Sequence, residues 1–134
     1  MERTFKKDHR SLEEVFAFIG ECMSMYAVDA DAGAAVSVAV EEFFTNMVKY
    51  SPEGKHDIAL RISREGNTLR VSLVDTDVER FDVTKVPEAE TGAPLEERRT
   101  GGLGIHIARH MIDSIGYEYA DRCSTITLLK NLEK

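Results

Sequence analysis

The sequence is short of the features that would staple a small domain or anchor it in a membrane. Its 134 residues include only two cysteines, Cys22 and Cys123, which stand in no CxxC or Cys/His spacing. A zinc site or a disulfide framework is therefore disfavoured. The longest stretch of low charge, residues 32–40, is too short to span a bilayer. The charged N-terminus, MERTFKKDHR, lacks a following apolar core of the signal-peptide type, so we expect a cytoplasmic protein.

Basic side chains are also in the minority. Lys and Arg number 17 against 24 Asp and Glu, which gives a formal net charge of −7 at pH 7. This balance repels a phosphate backbone, so direct binding to nucleic acid or to an anionic membrane is disfavoured. Hydrophobic residues make up 43% and charged residues 31% of the chain, as in ordinary globular proteins. We therefore expect residues 1–134 to form one soluble domain.

Patterns near the N-terminus predict a strand and a helix. Residues 2–6 fit a short edge strand. Ser11 followed by Glu14 is a capping-box pattern, which predicts a helix over about 11–26. The apolar face of this helix is predicted to contain Leu12, Val15, Phe16, Ile19, Met23 and Tyr26.

A second helix is predicted to start at an aspartate and to continue to about Tyr50. Either Asp29 or Asp31 can cap it, and Ser51-Pro52 ends it. Apolar residues recur at spacings of four and three residues, which indicates a stripe that faces a core. The stripe consists of Val36, Val40, Phe43, Met47 and Tyr50.

The second half of the chain predicts two hairpins and one more helix. Alternating segments predict the hairpins at residues 58–63 with 69–74, and 117–119 with 125–129. The last hairpin turns at Asp121-Arg122, and a helix over about 104–114 is ended by Gly116. The order β-α-α-β-β-loop-α-β-β predicts an α+β fold, a two-layer sandwich of helices on a mostly antiparallel mixed sheet.

Three motifs carry possible chemistry. Glu42 and Asn46 are four residues apart in the second predicted helix, so they share a face at the edge of the apolar stripe. There a carboxylate can take a proton and an amide oxygen can bind Mg²⁺. Asp75 ends a predicted strand and can accept a hydrogen bond from an exocyclic amine. Thr100-Gly101-Gly102-Leu103-Gly104-Ile105 opens a helix, where free backbone N–H groups attract phosphate.

In this order the motifs resemble those of the histidine-kinase-like ATPases, the GHKL or Bergerat-fold superfamily. Within it the sequence is most similar to the bacterial anti-sigma factor/serine-protein kinase branch. The most specific segments are AVEEFFTNMVKYS and RRTGGLGIHIARHMIDSIGYEYADRCSTITLLKNL. The similarity covers nearly the whole chain. It implies a single ATP-binding domain of this fold over residues 1–134, with an ATP lid at about 82–100.

The resemblance implies a role for each motif residue. Glu42 matches the general-base glutamate, Asn46 the asparagine that binds Mg²⁺, and Asp75 the aspartate that reads adenine. The implied ligands are therefore ATP and Mg²⁺. The other implied contacts to ATP are Arg98 and Arg99 of the lid, Gly101, Gly102, Leu103 and Gly104 of the second glycine box, and Thr127, with Thr125, behind the adenine pocket.

The resemblance also implies a function in partner switching. The protein would bind Mg-ATP, phosphorylate a serine or threonine of a STAS-type antagonist protein and sequester a sigma factor, as a homodimer. A second hypothesis stays open, a non-catalytic adaptor of the same fold. The first glycine box of the family reads D-x-G-x-G, whereas Asp77 and Glu79 replace both glycines here. Acidic side chains crowd a nucleotide and repel phosphate, which favours the adaptor.

Overall fold

The computed structural model describes residues 1–50, 57–76, 78 and 110–132. The predicted lid at 82–100 and the start of the third predicted helix lie outside these residues. A 3-10 helix at His9–Ser11 connects the first strand to the first α-helix. In chain order the elements are β1 (Glu2–Phe5), α1 (Leu12–Met25), α2 (Ala30–Tyr50), β2 (Ile58–Glu65), β3 (Thr68–Thr76), β4 (Ser114–Ala120) and β5 (Cys123–Asn131).

The strands form one antiparallel sheet in the order β1-β2-β3-β5-β4. β1 lies at an edge, as predicted, and β3 pairs with β5 along its whole length, from Thr68 opposite Asn131 to Thr76 opposite Cys123. Side chains alternate between the two faces of a strand. One face is apolar and almost completely buried, through Leu69, Val71 and Leu73 of β3 and Ile126 and Leu128 of β5.

The two α-helices cover this apolar face, which confirms the predicted two-layer α+β fold. The members of the predicted α2 stripe from Val36 to Met47 are buried, and they join the sheet residues in one hydrophobic cluster. Asp29 is the N-cap of α2, since its Oδ1 accepts a hydrogen bond of 2.8 Å from the backbone N–H of Ala32. Within the described ranges no helix is both long and apolar enough to cross a membrane.

The predicted apolar face of α1 was wrong at one aromatic residue. Phe16 is 37% exposed, whereas Phe18 and Cys22 are buried in the core. The reason lies in β1, because the ring of Phe5 packs against that of Phe18 with a centroid distance of 5.8 Å. The side of α1 that carries Phe18 therefore faces β1 and the core, whereas Phe16 is exposed.

The predicted capping box at the start of α1 was also wrong. Ser11 has helical backbone angles and makes no capping hydrogen bond through its side chain. Asp8 caps the preceding 3-10 helix instead, and its carboxylate accepts a hydrogen bond of 2.8 Å from the Arg10 backbone N–H. Hydrogen bonds from the Arg10 side chain and backbone lower the pKa of Asp8 to about 2. The turn between β1 and α1 is thus fixed by Asp8.

The structure corrects one boundary near the C-terminus and confirms the last hairpin. The third helix was predicted to continue to residue 114 and to end at Gly116. Ser114 already begins β4, and Gly116 lies inside that strand, opposite Thr127. The hairpin turns at Asp121 and Arg122, whose φ angles of 52° and 60° fit the two-residue turns that join twisted strands.

Two substitutions, alanine to glycine just after α1 and glycine to alanine within it, are both expected to stabilise the protein. Ala27 has φ of 55°, in a Schellman motif where the N–H of Val28 donates to the carbonyl of Met23. Since this conformation costs an L residue about 1 kcal/mol, Ala27→Gly should raise the free energy of unfolding by that amount. Gly20 lies in the exposed helix interior, where an added Cβ meets nothing within 4 Å. Gly20→Ala should add about 0.5–1 kcal/mol. Urea unfolding measures both, and a loss of stability in Ala27→Gly would contradict the helix end described here.

Candidate nucleotide site

One half of the candidate site lies on α2, where Glu42 and Asn46 are one helical turn apart. The neighbouring Phe43 and Met47 are anchored in the core, which leaves Asn46 1% exposed and Glu42 half-buried. The Asn46 amide donates a hydrogen bond to the Glu42 carboxylate. Within the described part of the chain, the Oε1 atom of Glu42 is buried and has no hydrogen-bond partner. The structure therefore brings this predicted pair together and leaves one carboxylate oxygen for a proton or a cation.

The surroundings of Glu42 shift its pKa toward neutrality. Burial, and to a lesser degree the negative charge of Glu41, raise the pKa of Glu42 from 4.5 to about 7. The hydrogen bond from Asn46 and the positive charge of Lys49 act in the opposite direction but do not cancel the effect of burial. A general base is most effective when its pKa lies near the working pH. Glu42 meets that condition at neutral pH.

The raised pKa of Glu42 predicts how stability depends on pH. Below pH 4.5 the carboxyl group is protonated in the folded and the unfolded chain, so its ionisation does not lower the free energy of unfolding. Between pH 4.5 and about 7 only the unfolded chain gives up this proton, so the folded protein loses stability as the pH rises. We expect the melting temperature of wild type minus that of Glu42→Gln to fall across this interval and then level off. Glu13→Gln, at an exposed position of α1, controls for the loss of one charge. A constant difference between wild type and Glu42→Gln would contradict the shifted pKa.

The other half of the site is Asp75, near the end of β3. Asp75 is two residues beyond Leu73 on the strand, so it lies on the face of the sheet that the helices cover. It is 1% exposed. The Nζ atom of Lys7, from the turn that follows β1, donates a hydrogen bond of 2.8 Å to its Oδ2 atom. The two side chains form a buried ion pair, with 6% of the Lys7 side chain exposed. Asp75 therefore accepts a hydrogen bond from the ammonium group of Lys7, and the predicted contact with the exocyclic amine of adenine stays a prediction.

Sequence reasoning missed a hydroxyl group beside Asp75. Ser124 of β5 lies directly opposite Asp75 and is 5% exposed. Thr127, which was predicted at the ATP site, lies opposite Ser72, three residues further along β5. An odd spacing on a strand places two side chains on opposite faces. The structure thus brings Ser124 next to Asp75 and places Thr127 on the other face of the sheet, as it does Thr125.

Val78, two residues after the end of β3, lies against the last hairpin. Val78 is completely buried, and its N–H donates a hydrogen bond of 3.0 Å to the carbonyl of Arg122. The hydroxyl group of Tyr119 donates to the carbonyl of Val78 at 2.8 Å. Both backbone groups of this residue are therefore held by the hairpin of β4 and β5. In the D-x-G-x-G pattern of the family's first glycine box, Val78 corresponds to the x between the two glycines.

Comparison with known proteins identifies the family. The family model of the histidine kinase-like ATPase domain matches residues 5–130. The chain belongs to the histidine kinase-like ATPase family. No curated protein matches the sequence significantly.

Solved structures of this ATPase fold resemble the whole chain at low sequence identity. The RsbU and RsbW domains of Rv1364c from Mycobacterium tuberculosis match with a TM-score of 0.72 at 16% identity, over 100% of this chain and 32% of that one. The chain therefore spans about a third of that protein's length. SiaB, in the SiaB-SiaC complex from Pseudomonas aeruginosa, matches with a TM-score of 0.62 at 14% identity, over 96% and 88%. The histidine kinase domain of the blue-light activated kinase of Erythrobacter litoralis EL346 matches at 0.54 and 16%, over 92% and 60%.

The described residues fit the Mg²⁺-binding end of a histidine kinase-like ATPase site better than the end that would bind the adenine base. The amide oxygen of Asn46 is a hard oxygen donor of the kind that Mg²⁺ prefers, and the buried Oε1 of Glu42 lies one helical turn away. No cluster of three or more His, Cys, Asp or Glu side chains suited to a metal ion occurs in the described ranges. At the end that would bind adenine, Asp75 and Ser124 offer hydrogen-bonding groups, but Lys7 already binds Asp75. The remaining predicted ATP contacts, Arg98, Arg99, Gly101, Gly102, Leu103 and Gly104, lie outside the described residues.

Proposed function

We propose that the protein is an anti-sigma regulatory factor that binds Mg-ATP and phosphorylates a serine or threonine of a STAS-type antagonist protein. The observation that carries this proposal is the pair on α2. Glu42 has a pKa of about 7 and is hydrogen-bonded to the buried Asn46. A half-buried carboxylate that exchanges its proton near neutral pH is costly to maintain for stability alone. It is well suited to accept a proton from a hydroxyl group.

Each described site residue has a distinct task in this proposal. Glu42 would take the proton of the acceptor hydroxyl group as that oxygen bonds to the γ-phosphorus of ATP, whose bond to the bridging oxygen breaks so that ADP leaves. Asn46 orients Glu42 through the hydrogen bond from its amide nitrogen and offers its amide oxygen to Mg²⁺. Asp75 accepts a hydrogen bond from the exocyclic amine of adenine, and Ser124 lies beside it. Mg-ATP supplies the phosphoryl group, and the protein contributes mainly positioning and charge neutralisation.

The part of the proposed site that binds phosphate rests on the sequence. Backbone N–H groups of the segment Gly101–Gly104 would face the phosphates. Residues 82–100 would form the lid, from which Arg98 and Arg99 would reach phosphate oxygens. Their positive charges would offset the acidic side chains of Asp77 and Glu79.

The proposed partners are a sigma factor and the antagonist protein, bound in turn in the cytoplasm. The likeness to the RsbW-containing structure and to the SiaB-SiaC complex supports a partner-switching role. We include a homodimer in the proposal, formed through β1 and the nearby helix. β1 is an edge strand, and Glu2, Arg3 and Thr4 are exposed. No direct contact with nucleic acid or with a membrane is part of this function.

A non-catalytic adaptor of the same family is the second candidate. Two observations favour it: the Lys7–Asp75 ion pair engages the residue that would read adenine, and acidic residues replace the glycines at positions 77 and 79. Such an adaptor would still bind its protein partner but would turn over no ATP.

Nucleotide binding and phosphoryl transfer distinguish the two candidates. A ligand present at 100 times its Kd stabilises the folded protein by about 2.7 kcal/mol. A kinase should therefore show a higher melting temperature with ATP and Mg²⁺ than with either alone. It should also transfer phosphate to a STAS-type protein encoded nearby. Thermal stability that does not respond to millimolar ATP, together with intact binding of that protein, would establish the adaptor instead.

A further inference from the structure

The ion pair between Lys7 and Asp75 differs from the neighbouring ion pairs in its burial. Its side chains are 6% and 1% exposed, and Nζ lies 2.8 Å from Oδ2. Every side chain of the three neighbouring pairs is at least 38% exposed. Those pairs are Arg3–Glu21, Arg10–Asp8 and Arg61–Glu2. Exposed pairs contribute little to stability, whereas separating a buried pair leaves a charge without compensation. Lys7 is therefore held firmly on Asp75.

The hydrogen bond from Lys7 has the same chemistry as the contact proposed for the nucleobase. In both, a nitrogen donates a hydrogen to the Asp75 carboxylate. Both side chains are almost completely buried, so the amine of a base can reach this carboxylate only after the Lys7 ammonium group has moved away from it. We propose that Lys7 competes with the nucleobase for Asp75 and so sets the affinity of the site for adenine nucleotides. This inference rests on the proposed adenine contact.

The Lys7 side chain can leave while its backbone stays in place. On one side, Phe5 is buried in the core against Phe18. On the other side, Asp8 caps the 3-10 helix. The adjacent Lys6 is exposed, so this turn borders solvent. Rotation about the side-chain bonds of Lys7 would carry its ammonium group into water, where hydration replaces the lost ion pair. The amine of the base would then donate to Asp75 in its place.

This competition has a quantitative consequence. When only a fraction of the molecules is competent to bind, the apparent Kd is the intrinsic Kd divided by that fraction. If Lys7 covers Asp75 in about nine molecules of ten or more, it weakens binding about tenfold or more. Removing the ammonium group should lower the apparent Kd by the same factor. The effect should be the same for adenosine, ADP and ATP, because it acts at the base and not at the phosphates.

The first test measures the affinity of three proteins for adenosine and for ATP with Mg²⁺. Lys7→Met keeps the length of the side chain and removes its charge, and Lys6→Met is the matched control at the exposed neighbour. We expect Lys7→Met to lower the Kd of both ligands about tenfold or more, and Lys6→Met to leave both unchanged. Equal or weaker binding by Lys7→Met would overturn the proposal, because Lys7 would then support the site or have no part in it.

The second test needs no variant and so does not depend on the folding of Lys7→Met. Wild-type protein is acylated briefly with an amine-reactive reagent, with and without saturating adenosine, and the modified lysines are identified by mass spectrometry. We expect Lys6 to react under both conditions and Lys7 to react only with adenosine. Protection of Lys7 under both conditions, with adenosine bound, would overturn the proposal.

The two tests also separate this inference from the proposed function. If Lys7→Met binds adenosine more tightly but wild type transfers no phosphate, the competition holds and the kinase proposal fails. If wild type transfers phosphate but Lys7→Met binds no more tightly, the kinase proposal holds and the competition fails. Absence of adenosine binding in all three proteins would overturn the competition, since the adenine contact would not exist, and the transfer assay would then decide the kinase proposal separately.

Discussion

Replacing Glu42 by glutamine is expected to remove most of the phosphoryl transfer while Mg-ATP stays bound. The two side chains are nearly isosteric, so the hydrogen bond with Asn46 and the packing of α2 can persist. Loss of a general base typically lowers the rate about 10²–10⁴-fold. Since the pKa of Glu42 is about 7, the wild-type rate should rise with pH up to about 7 and then level off. The residual rate of Glu42→Gln should lack this dependence.

Asn46→Asp is the comparison variant, because it separates an effect on metal-dependent ATP binding from the loss of the general base. It adds a negative charge beside Glu42 and changes the metal ligand, so the dependence of ATP binding on Mg²⁺ should itself change. Calorimetry with and without Mg²⁺, followed by a single-turnover transfer assay, measures the two effects separately. If both variants lose binding equally, Glu42 has a structural role.

The second large effect is expected on stability, from Asp75→Asn. This change removes the counter-charge of a buried ammonium group, whose Nζ lies 2.8 Å from Oδ2. Removing one partner of a buried ion pair typically lowers the free energy of unfolding by about 3–5 kcal/mol, and the loss here is expected near the lower end because the Lys7 ammonium group can rotate into water. The double variant Lys7→Met/Asp75→Asn leaves no buried charge in the pair, so it should recover much of this loss. Urea denaturation of the two single variants and the double variant gives the coupling energy.

An exposed ion pair provides the matched control for this cycle. The Arg61–Glu2 pair joins β2 to β1, with side chains 61% and 51% exposed. Because water screens this pair, Glu2→Gln should cost less than about 1 kcal/mol. A loss of the same small size in Asp75→Asn, with no recovery in the double variant, would show that the Lys7–Asp75 pair does not hold the fold together.

The elements that could be predicted from the sequence are those with a local signal. The stripe of α2 has a strict helical period, and its members from Val36 to Met47 are buried. The Glu42–Asn46 pair follows from helical spacing alone, because residues four apart share a face. The turn at Asp121-Arg122 is marked by its position between two alternating segments. Each of these depends on neighbours within a few residues.

The elements that could not be predicted depend on contacts between distant parts of the chain. In the sequence Lys6 and Lys7 are equivalent, and only the approach of the first turn to β3 buries one of them. Phe16 and Phe18 are a similar case, because only the tertiary structure shows that Phe18 is the one that packs against Phe5 of β1. Ser124 was within reach of the sequence, because it is two residues before Ile126 and so shares the core face of β5.

The most direct test of the proposed kinase is a single-turnover transfer of the γ-phosphoryl group. The wild-type protein, in excess over labelled ATP with Mg²⁺, is mixed with its STAS-type antagonist, and the antagonist is analysed by mass spectrometry. We expect one phosphoryl group on one serine or threonine of the antagonist, formed at a rate that depends on Glu42. Bound ATP with an unmodified antagonist would contradict the kinase function and leave the adaptor.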